Sequence, residues 1–328
     1  MTTPKHGIDF DAVLGKPREL TSSEVTDTVG IPTYKARRYW RAMGFANVPD
    51  GEREFTSADI DALQTLRRLV GDEVLREPQT IELTRTLGRT SNRLANSVAE
   101  GMSQWLDAVG VTGAERPQAA RNLAERVIPD VEKLLLYSLR RHLVVALQRR
   151  QREVATNGPV ATVTGFADLV GFTRLSRQLS DEELARLVQG FESGVTDLIT
   201  AHGGRIIKSL GDEVLFATHD PATAANIALD LAERVSRRKR VPGIRIGLEF
   251  GSVVTHAGDV FGDTVNLASR LTAMAEPNHI LVGPALASAL AYLPGYRLVT
   301  MPPIDVRGFG TAAPAELHRS TPAAEQRG

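Results

Sequence analysis

The stretch GGRIIKSLGDEVLFAT, residues 203–218, carries the plainest structural signal in the chain. Two apolar runs flank a Gly-Asp pair, which is the pattern of a β-hairpin with a two-residue turn. Lys208 stands shortly before the turn and Asp212 lies in it. A hairpin needs neither charge in order to fold, so both residues become candidates for chemistry.

Around this hairpin, short β runs alternate with amphipathic helical patterns. In chain order the sequence predicts a strand at 160–167, a helix at 180–201, the hairpin, a helix at 221–235, a second hairpin at 244–257, a helix at 263–274, a strand at 279–283, a short helix and two or three terminal strands. The core order βαββαβ predicts a ferredoxin-like sheet with its helices on one face.

The preceding half has an almost wholly helical pattern. Residues 56–70, for example, open with a Ser/Thr cap and repeat apolar residues at helical spacing. We expect a long helix over 131–155 to connect the two halves, and we expect Pro129 to kink or divide the helix that contains it. The fold class is therefore α+β, with an all-α N-terminal domain before a ferredoxin-like βαββαβ domain.

The domain boundaries follow from the same change of pattern. The segment TNGP, residues 156–159, is a candidate hinge, which gives a helical domain at 1–157 and a second domain at 158–320. Only the tail 321–328 has the composition of a disordered segment.

Bulk composition excludes several classes of protein. The 328 residues include 39 basic and 39 acidic ones, so no strong net charge favours nucleic acid or membrane surfaces. Cysteine is absent, which excludes disulfides and thiolate chemistry. No apolar run approaches the length of a membrane span. We expect a cytoplasmic protein without a membrane partner.

Asp168 is the second candidate for chemistry, because it ends the predicted strand in GFADLVGFT, residues 165–173. It is a plausible helix cap when taken alone. The central strands of a ferredoxin-like sheet are neighbours, however, so Asp168 and Asp212 are expected to meet. Two carboxylates at one place repel unless a cation lies between them, and Mg²⁺ or Mn²⁺ suits such oxygen ligands.

A third stretch, GDVFGDTVNLASRL at residues 258–271, places Asn266 and Arg270 four residues apart and so on one helical face. This pair alone is equally typical of a solvated helix edge. Its weight comes from its order and spacing relative to the two acids.

Taken together, the motifs FADLVGFT, IKSLGDEV, GDVFGDTVNLASRL and VRGFG resemble the catalytic homology domain of class III nucleotidyl cyclases, over about residues 159–317. The resemblance implies an enzyme that converts a nucleoside triphosphate to its 3′,5′-cyclic monophosphate and pyrophosphate. It further implies that Asp168, Leu169 and Asp212 hold two divalent cations, Mg²⁺ or Mn²⁺.

The resemblance also implies roles for the remaining motif residues. Asn266 would orient the ribose and Arg270 would neutralise charge on the α-phosphate. The backbone around Phe172 and Thr173 would cradle phosphate at a helix start. Arg307 stands where the family often has a Lys that contacts the triphosphate, and Arg binds phosphate with a different, forked geometry.

Lys208 and Asp259 match the purine-reading pair of this family. Adenine offers an acceptor at N1 and a donor at N6, which a cation and a carboxylate complement, whereas guanine reverses both. The resemblance therefore favours ATP and an adenylate cyclase. It also implies a homodimer, because the aspartates and the Asn/Arg pair of one site come from different chains in this family.

The segment 20–70 resembles a MerR-type helix-turn-helix, with VGIP as the turn and GEREF as a wing. Arg37, Arg38 and Arg41 lie on the second helix, and we expect Tyr39, Trp40 and Phe45 to form a small core. Such arginines bind DNA in true recognition helices. The fold is also reused as a packing module, so a regulatory role is the favoured interpretation.

Two alternatives stay open at this point. The chain could be a nucleotide-responsive DNA-binding regulator whose cyclase-like domain is not catalytic, or a diguanylate cyclase of the GGDEF type, whose signature GGRII at 203–207 matches poorly. For regulation, the helix 131–155 is expected to hold the catalytic domains apart or release them. His142 in that helix is a titratable group of this region, although a lone His is more often a packing residue.

Overall fold

A computed structural model describes residues 11–72, 74–155, 160–237, 243–306 and 308–320. The chain divides into two compact units, residues 1–147 and 148–328. The division lies inside a helix that runs to Ala155, earlier than the predicted boundary at 157/158. The predicted hinge 156–159 and the tail 321–328 lie outside the described residues.

The helices of the first unit are α1 (Ser22–Val29), α2 (Thr33–Ala42), α3 (Ser57–Gly71), α4 (Glu77–Ala108) and α5 (Arg116–Ala155), with short 3₁₀ turns at Asp11–Leu14 and Gly113–Glu115. Capping boxes begin α1 at Thr21 and α3 at Thr56, as the Ser/Thr signals predict. Gly30 ends α1 in the left-handed conformation that glycine adopts without strain.

A small core joins α1, α2 and α3. Tyr39 and Trp40 are buried in it, as expected, and the ring centroids of Trp40 and Phe55 are 4.4 Å apart. Phe45 was expected in this core, and that expectation is wrong, because its side chain is 57% exposed. Phe55, held beside Leu20 by a β-bridge, packs there instead.

Helix α5 is continuous through Pro129, so this residue does not divide it. The predicted connecting helix 131–155 is its C-terminal part. Many large apolar side chains in this part are exposed in the single chain, among them Leu134, Leu136, Leu139, Leu143 and Leu147.

The second unit contains the mixed α/β elements. They are β1 (Thr162–Leu169), α6 (Phe172–Ser176), α7 (Asp181–Ala201), β2 (Arg205–Leu210), β3 (Glu213–Thr218), α8 (Pro221–Ser236), β4 (Ile244–Gly251), β5 (Val254–His256), β6 (Asp259–Phe261), α9 (Asp263–Met274), β7 (Ile280–Val282), α10 (Pro284–Leu290), β8 (Tyr296–Thr300), β9 (Ile304–Val306), β10 (Gly310–Ala312) and β11 (Ala315–Arg319).

Seven strands form the main sheet in the order β2-β3-β1-β4-β7-β11-β8. Its first four strands have the order of a ferredoxin-like fold, with β1 antiparallel to both β3 and β4. The predicted fold class is therefore confirmed. The order also makes β1 and β3 neighbours, which brings the end of β1 next to the β2–β3 turn.

Two details of the predicted topology are wrong. Residues 244–257 do not form a hairpin, because β5 pairs with β6 in a separate two-stranded sheet while β4 pairs with β1 and β7. The helices also cover both faces of the sheet. Helices α7, α8 and α10 enclose the main core, and α9 packs on the opposite face.

Helix α9 lies unusually close to the sheet. A Cβ added to Gly247 would fall 2.3 Å from the backbone nitrogen of Thr272, so only glycine permits this approach. The Thr164 hydroxyl donates to the Thr264 carbonyl at 3.3 Å, and the Thr272 hydroxyl lies 3.4 Å from the Phe166 carbonyl. These contacts fix α9 along β1.

Candidate active site

The two aspartates singled out in the sequence lie together at one end of the sheet. Asp168 is directly opposite Glu213 in the β1–β3 ladder, and the Leu169 amide donates to the Asp212 carbonyl at 3.0 Å. The hairpin turn is thereby fixed against the end of β1. The structure thus places Asp168, Leu169 and Asp212 side by side.

The pKa values of Asp212 and Glu213 are raised, as expected for crowded carboxylates. Burial raises the pKa of Asp212 and the neighbouring Asp168 charge adds to the rise, against the opposing effect of Arg245. Burial likewise raises the pKa of Glu213, and both aspartates raise it further. A cation at this place would relieve the repulsion.

The chemistry of the site fits a divalent cation. Carboxylate and carbonyl oxygens are the ligands that Mg²⁺ and Mn²⁺ prefer, and these ions are commonly held by one or two carboxylates together with substrate phosphates. Over the described part of the chain, no group of three or more His, Cys, Asp or Glu side chains is arranged as a metal site. The two aspartates therefore fit as a partial ligand set that a phosphate substrate would complete.

Sequence reasoning missed Arg245, which lies on β4 directly opposite Asp168 and forms an ion pair with it. A signal was present, because Arg245 is the lone charge in the apolar run IRIGL at 244–248. Such a charge in a strand buried on both faces requires a partner. Glu213, the third acid of the cluster, was missed as well.

Lys208 and Asp259 form an ion pair, with 2.8 Å between Nζ and Oδ2. The pair connects β2 to β6, and both side chains are about one-third exposed. Burial acts to raise the pKa of Asp259, but the Lys208 ammonium and the Val260 amide outweigh it and lower that pKa. The two residues are thus brought together with their polar atoms partly open to solvent.

Asn266 and Arg270 are not brought to the aspartates within the chain. Helix α9 buries one face on the sheet, consisting of Thr264, Val265, Ala268, Leu271 and Thr272. Asn266 and Arg270 lie on the opposite, exposed face. Across the described residues, neither side chain has a hydrogen bond or an ion pair.

The remaining predicted residues lie around the turn after β1. The Phe172 side chain packs against the main core, so this residue could reach a ligand only through its backbone. Thr173 is exposed in the short helix α6, which follows Gly171 in the left-handed conformation. Arg307 lies outside the described residues.

In the first unit, the arginines of the helix-turn-helix-like segment are partly engaged by acids. Arg37 pairs with Asp50 and Arg38 with Glu77. Arg41 donates from Nε to the Arg37 carbonyl at 3.3 Å. These contacts compete with DNA phosphates for the side chains that a recognition helix would use. His142 is exposed on α5.

Each of the two units matches a known protein family. The adenylate and guanylate cyclase catalytic domain matches residues 156–318, and the adenylate cyclase regulatory domain matches residues 6–147. An adenylate cyclase of Streptomyces coelicolor is 40% identical over 282 residues, which cover 85% of this chain and 73% of that protein. The chain belongs to the class III adenylate cyclases.

A second relative of this cyclase agrees with the assignment. An adenylate cyclase of Glutamicibacter nicotianae is 35% identical over 324 residues, covering 93% of this chain and 80% of that protein. Among solved structures, the catalytic core of a rhodopsin-guanylyl cyclase with converted specificity, in complex with ATPalphaS, matches with a TM-score of 0.47 and 23% identity, covering 49% of this chain and 98% of that chain. In the described part of this cyclase, no helix has the length and apolar character needed to cross a membrane.

Proposed function

We propose that the protein converts ATP to 3′,5′-cyclic AMP and pyrophosphate at sites shared between two copies of the chain. The observation that carries this proposal is the convergence of Asp168 and Asp212 at the end of β1. It is supported by the activity named for the relatives, which are adenylate cyclases that match most of this chain.

Each residue of the proposed mechanism acts by charge or position. Asp168, Asp212 and the Leu169 carbonyl would hold two divalent cations, which when bound lower the pKa of the ribose 3′-hydroxyl and neutralise the triphosphate. Asn266 orients the ribose, and Arg270 stabilises the charge that develops on the α-phosphate. Amides near Phe172 and Thr173, together with Arg307, bind the remaining phosphate oxygens.

Preference for ATP follows from the Lys208–Asp259 pair. Lys208 offers a donor for adenine N1 and Asp259 an acceptor for the N6 amino group. Guanine presents a donor and an acceptor in the reverse order, so each contact would leave a partly desolvated group without a partner. Such a group costs about 1–3 kcal/mol.

The shared site follows from the position of α9. Its exposed Asn266 and Arg270 cannot serve Asp168 of the same chain from the far side of the helix, so a partner's α9 would supply them. The exposed leucines of α5 support a homodimer further, because a cluster of large apolar side chains on a helix surface is normally covered by a partner.

Regulation is assigned to the first unit, in line with its match to the cyclase regulatory domain. We infer that α5 transmits the state of this unit, because its last two turns belong to the catalytic unit. Removing residues 1–147 should change the rate strongly. Removing 1–157 also deletes those last turns, so a difference between the two truncations measures their own contribution.

The direct test is cyclic AMP formation by the purified protein with ATP and Mn²⁺, with GTP measured in parallel. Wild type should form cyclic AMP, and Asp212→Ala should not. No product from correctly folded wild type under both nucleotides would overturn the proposal. A gel shift with DNA from the region upstream of the gene tests the alternative that the chain is a nucleotide-responsive DNA-binding regulator.

A further inference from the structure

The ion pair between Asp168 and Arg245 lies where the proposed function places a divalent cation, and the inference below rests on that proposal. Glu213, Asp168 and Arg245 are opposite one another on β3, β1 and β4, so their side chains share one face of the sheet. Arg245 Nη2 contacts Asp168 Oδ2 directly. The Asp168 side chain is only 14% exposed, so this contact is poorly screened by water.

Three carboxylates share this guanidinium. Asp212 and Glu213 both lie within the electrostatic influence of Arg245 and of Asp168. Within the described ranges, Arg245 is the cation that is ion-paired with Asp168, while the other cation near the cluster, Lys208, is paired with Asp259. Arg245 therefore supplies the positive charge that the cluster needs when no metal ion is bound.

The surroundings of Arg245 show that Asp168 determines its placement. Its Nε is buried and has no hydrogen-bond partner among the described residues. A buried donor without an acceptor is costly, so a side chain adopts such a position only where another interaction outweighs the loss. Here that interaction is the charge-assisted contact with Asp168.

We propose that Arg245 is a built-in counter-cation that a divalent metal ion displaces from Asp168. In the metal-free protein, the guanidinium neutralises Asp168 and holds its carboxylate beside Asp212. An incoming ion can bind Oδ2 of Asp168 only when the contact between this oxygen and Arg245 breaks. Arg245 is thus a positioning residue that weakens the binding of the bare ion while it keeps its ligand in place.

The test is a titration of the full-length protein with Mn²⁺ in the absence of nucleotide, followed by electron paramagnetic resonance of the free ion. Arg245→Gln should tighten Mn²⁺ binding about tenfold, because the ion then no longer has to break a charge-assisted contact in order to bind Asp168. Lys208→Gln is the matched control, because it removes the same charge near the cluster without touching Asp168. It should change the affinity less than about twofold.

Thermal unfolding gives a second readout that a purely structural role would not produce. In EDTA, the Tm of Arg245→Gln should be lower than that of wild type. Saturating Mn²⁺ should raise the Tm of the variant by more than it raises the Tm of wild type, because tighter binding adds stability by mass action. Arg245→Lys, which keeps the charge but not the guanidinium group that contacts Asp168, should fall between Arg245→Gln and wild type.

The outcomes separate this inference from the proposed function. Equal or weaker Mn²⁺ binding in Arg245→Gln overturns the inference, and so does equal tightening in Lys208→Gln, which would show a general charge effect. Wild type that binds no Mn²⁺, or Asp168→Asn that binds it as well as wild type does, overturns the proposed metal site itself.

Discussion

The end of strand β1 and the outer face of helix α9 contrast within one unit of the chain. At β1, Asp168 is ion-paired with Arg245 and crowded by Asp212 and Glu213. On α9, Arg270 is exposed and makes no ion pair among the described residues. The acids at β1 contact charged groups of their own chain, whereas the polar groups of α9 face outward.

This difference indicates that the two regions are complementary halves of a site. A carboxylate cluster needs positive charge beyond Arg245 in order to bind a triphosphate, and an exposed Arg on a rigid helix offers it. The inner face of α9 is fixed by the close approach at Gly247, so the helix cannot rotate to bring Arg270 to Asp168. We therefore propose that a second chain supplies the missing half.

The largest expected effect is the loss of activity when an acid at the end of β1 is removed. Asp212→Ala should reduce cyclic AMP formation to the detection limit, because it removes a metal ligand. The protein should keep its fold, since loss of one acid relieves repulsion from Asp168. Activity assays with Mn²⁺, together with circular dichroism, check both statements. Retained activity would show that the cluster is not the metal site.

On the α9 side, Arg270→Ala should lower kcat by about a hundredfold to a thousandfold, as expected for loss of one group that stabilises developing charge. Binding of Mn²⁺ without nucleotide should be unchanged, because Arg270 does not contact the acids of its own chain. Ser269→Ala on the same helix serves as the control. A changed Mn²⁺ affinity in Arg270→Ala would break the separation of the two regions.

A smaller effect is expected on the preference for ATP over GTP. Replacing Asp259 with Ala removes the acceptor proposed for adenine N6 and breaks the pair with Lys208. We expect kcat/KM for ATP to fall about tenfold to a hundredfold and the ratio of ATP to GTP use to fall with it. Kinetics with both nucleotides measure this ratio. An unchanged ratio would remove Lys208 and Asp259 from base recognition.

The smallest effect is a pH dependence confined to the β1 side. The raised pKa values of Asp212 and Glu213 mean that these acids keep their protons to higher pH than usual. A metal ion must displace those protons, so Mn²⁺ affinity should fall as pH decreases towards 5 and recover towards neutrality. Arg270→Ala should show the same profile. A flat profile in wild type would mean that Asp212 does not bind the ion.

Much of the fold could be predicted because local signals and packing agree. The spans of α7 and α9 follow from sequence patterns, and the structure has both to within a residue. The hairpin predicted at 244–257 failed because pairing of β4 is decided by distant strands. Its partners, β1 and β7, are separated from it in sequence, and local alternation contains no information about them.

The candidate site could be predicted in part for a related reason. Asp168 and Asp212 could be found because the predicted sheet makes their strands neighbours, and Lys208 stands out beside the turn. Arg245 was missed because its importance depends on which strand lies opposite Asp168, and the register supplies that information. Phe45 was misplaced because an aromatic residue after a helix resembles a core residue until Phe55 is seen to fill the position.

The shared site is the central claim, and mixing two nearly inactive variants tests it most directly. Asp212→Ala and Arg270→Ala, each with about 1% of wild-type activity or less alone, should regain activity when coexpressed, because a mixed dimer contains one site with both halves intact. The recovered rate should follow the fraction of mixed dimers measured by mass spectrometry. If mixed dimers form and no activity returns, each chain must complete its own site, and the proposed sharing between chains is contradicted.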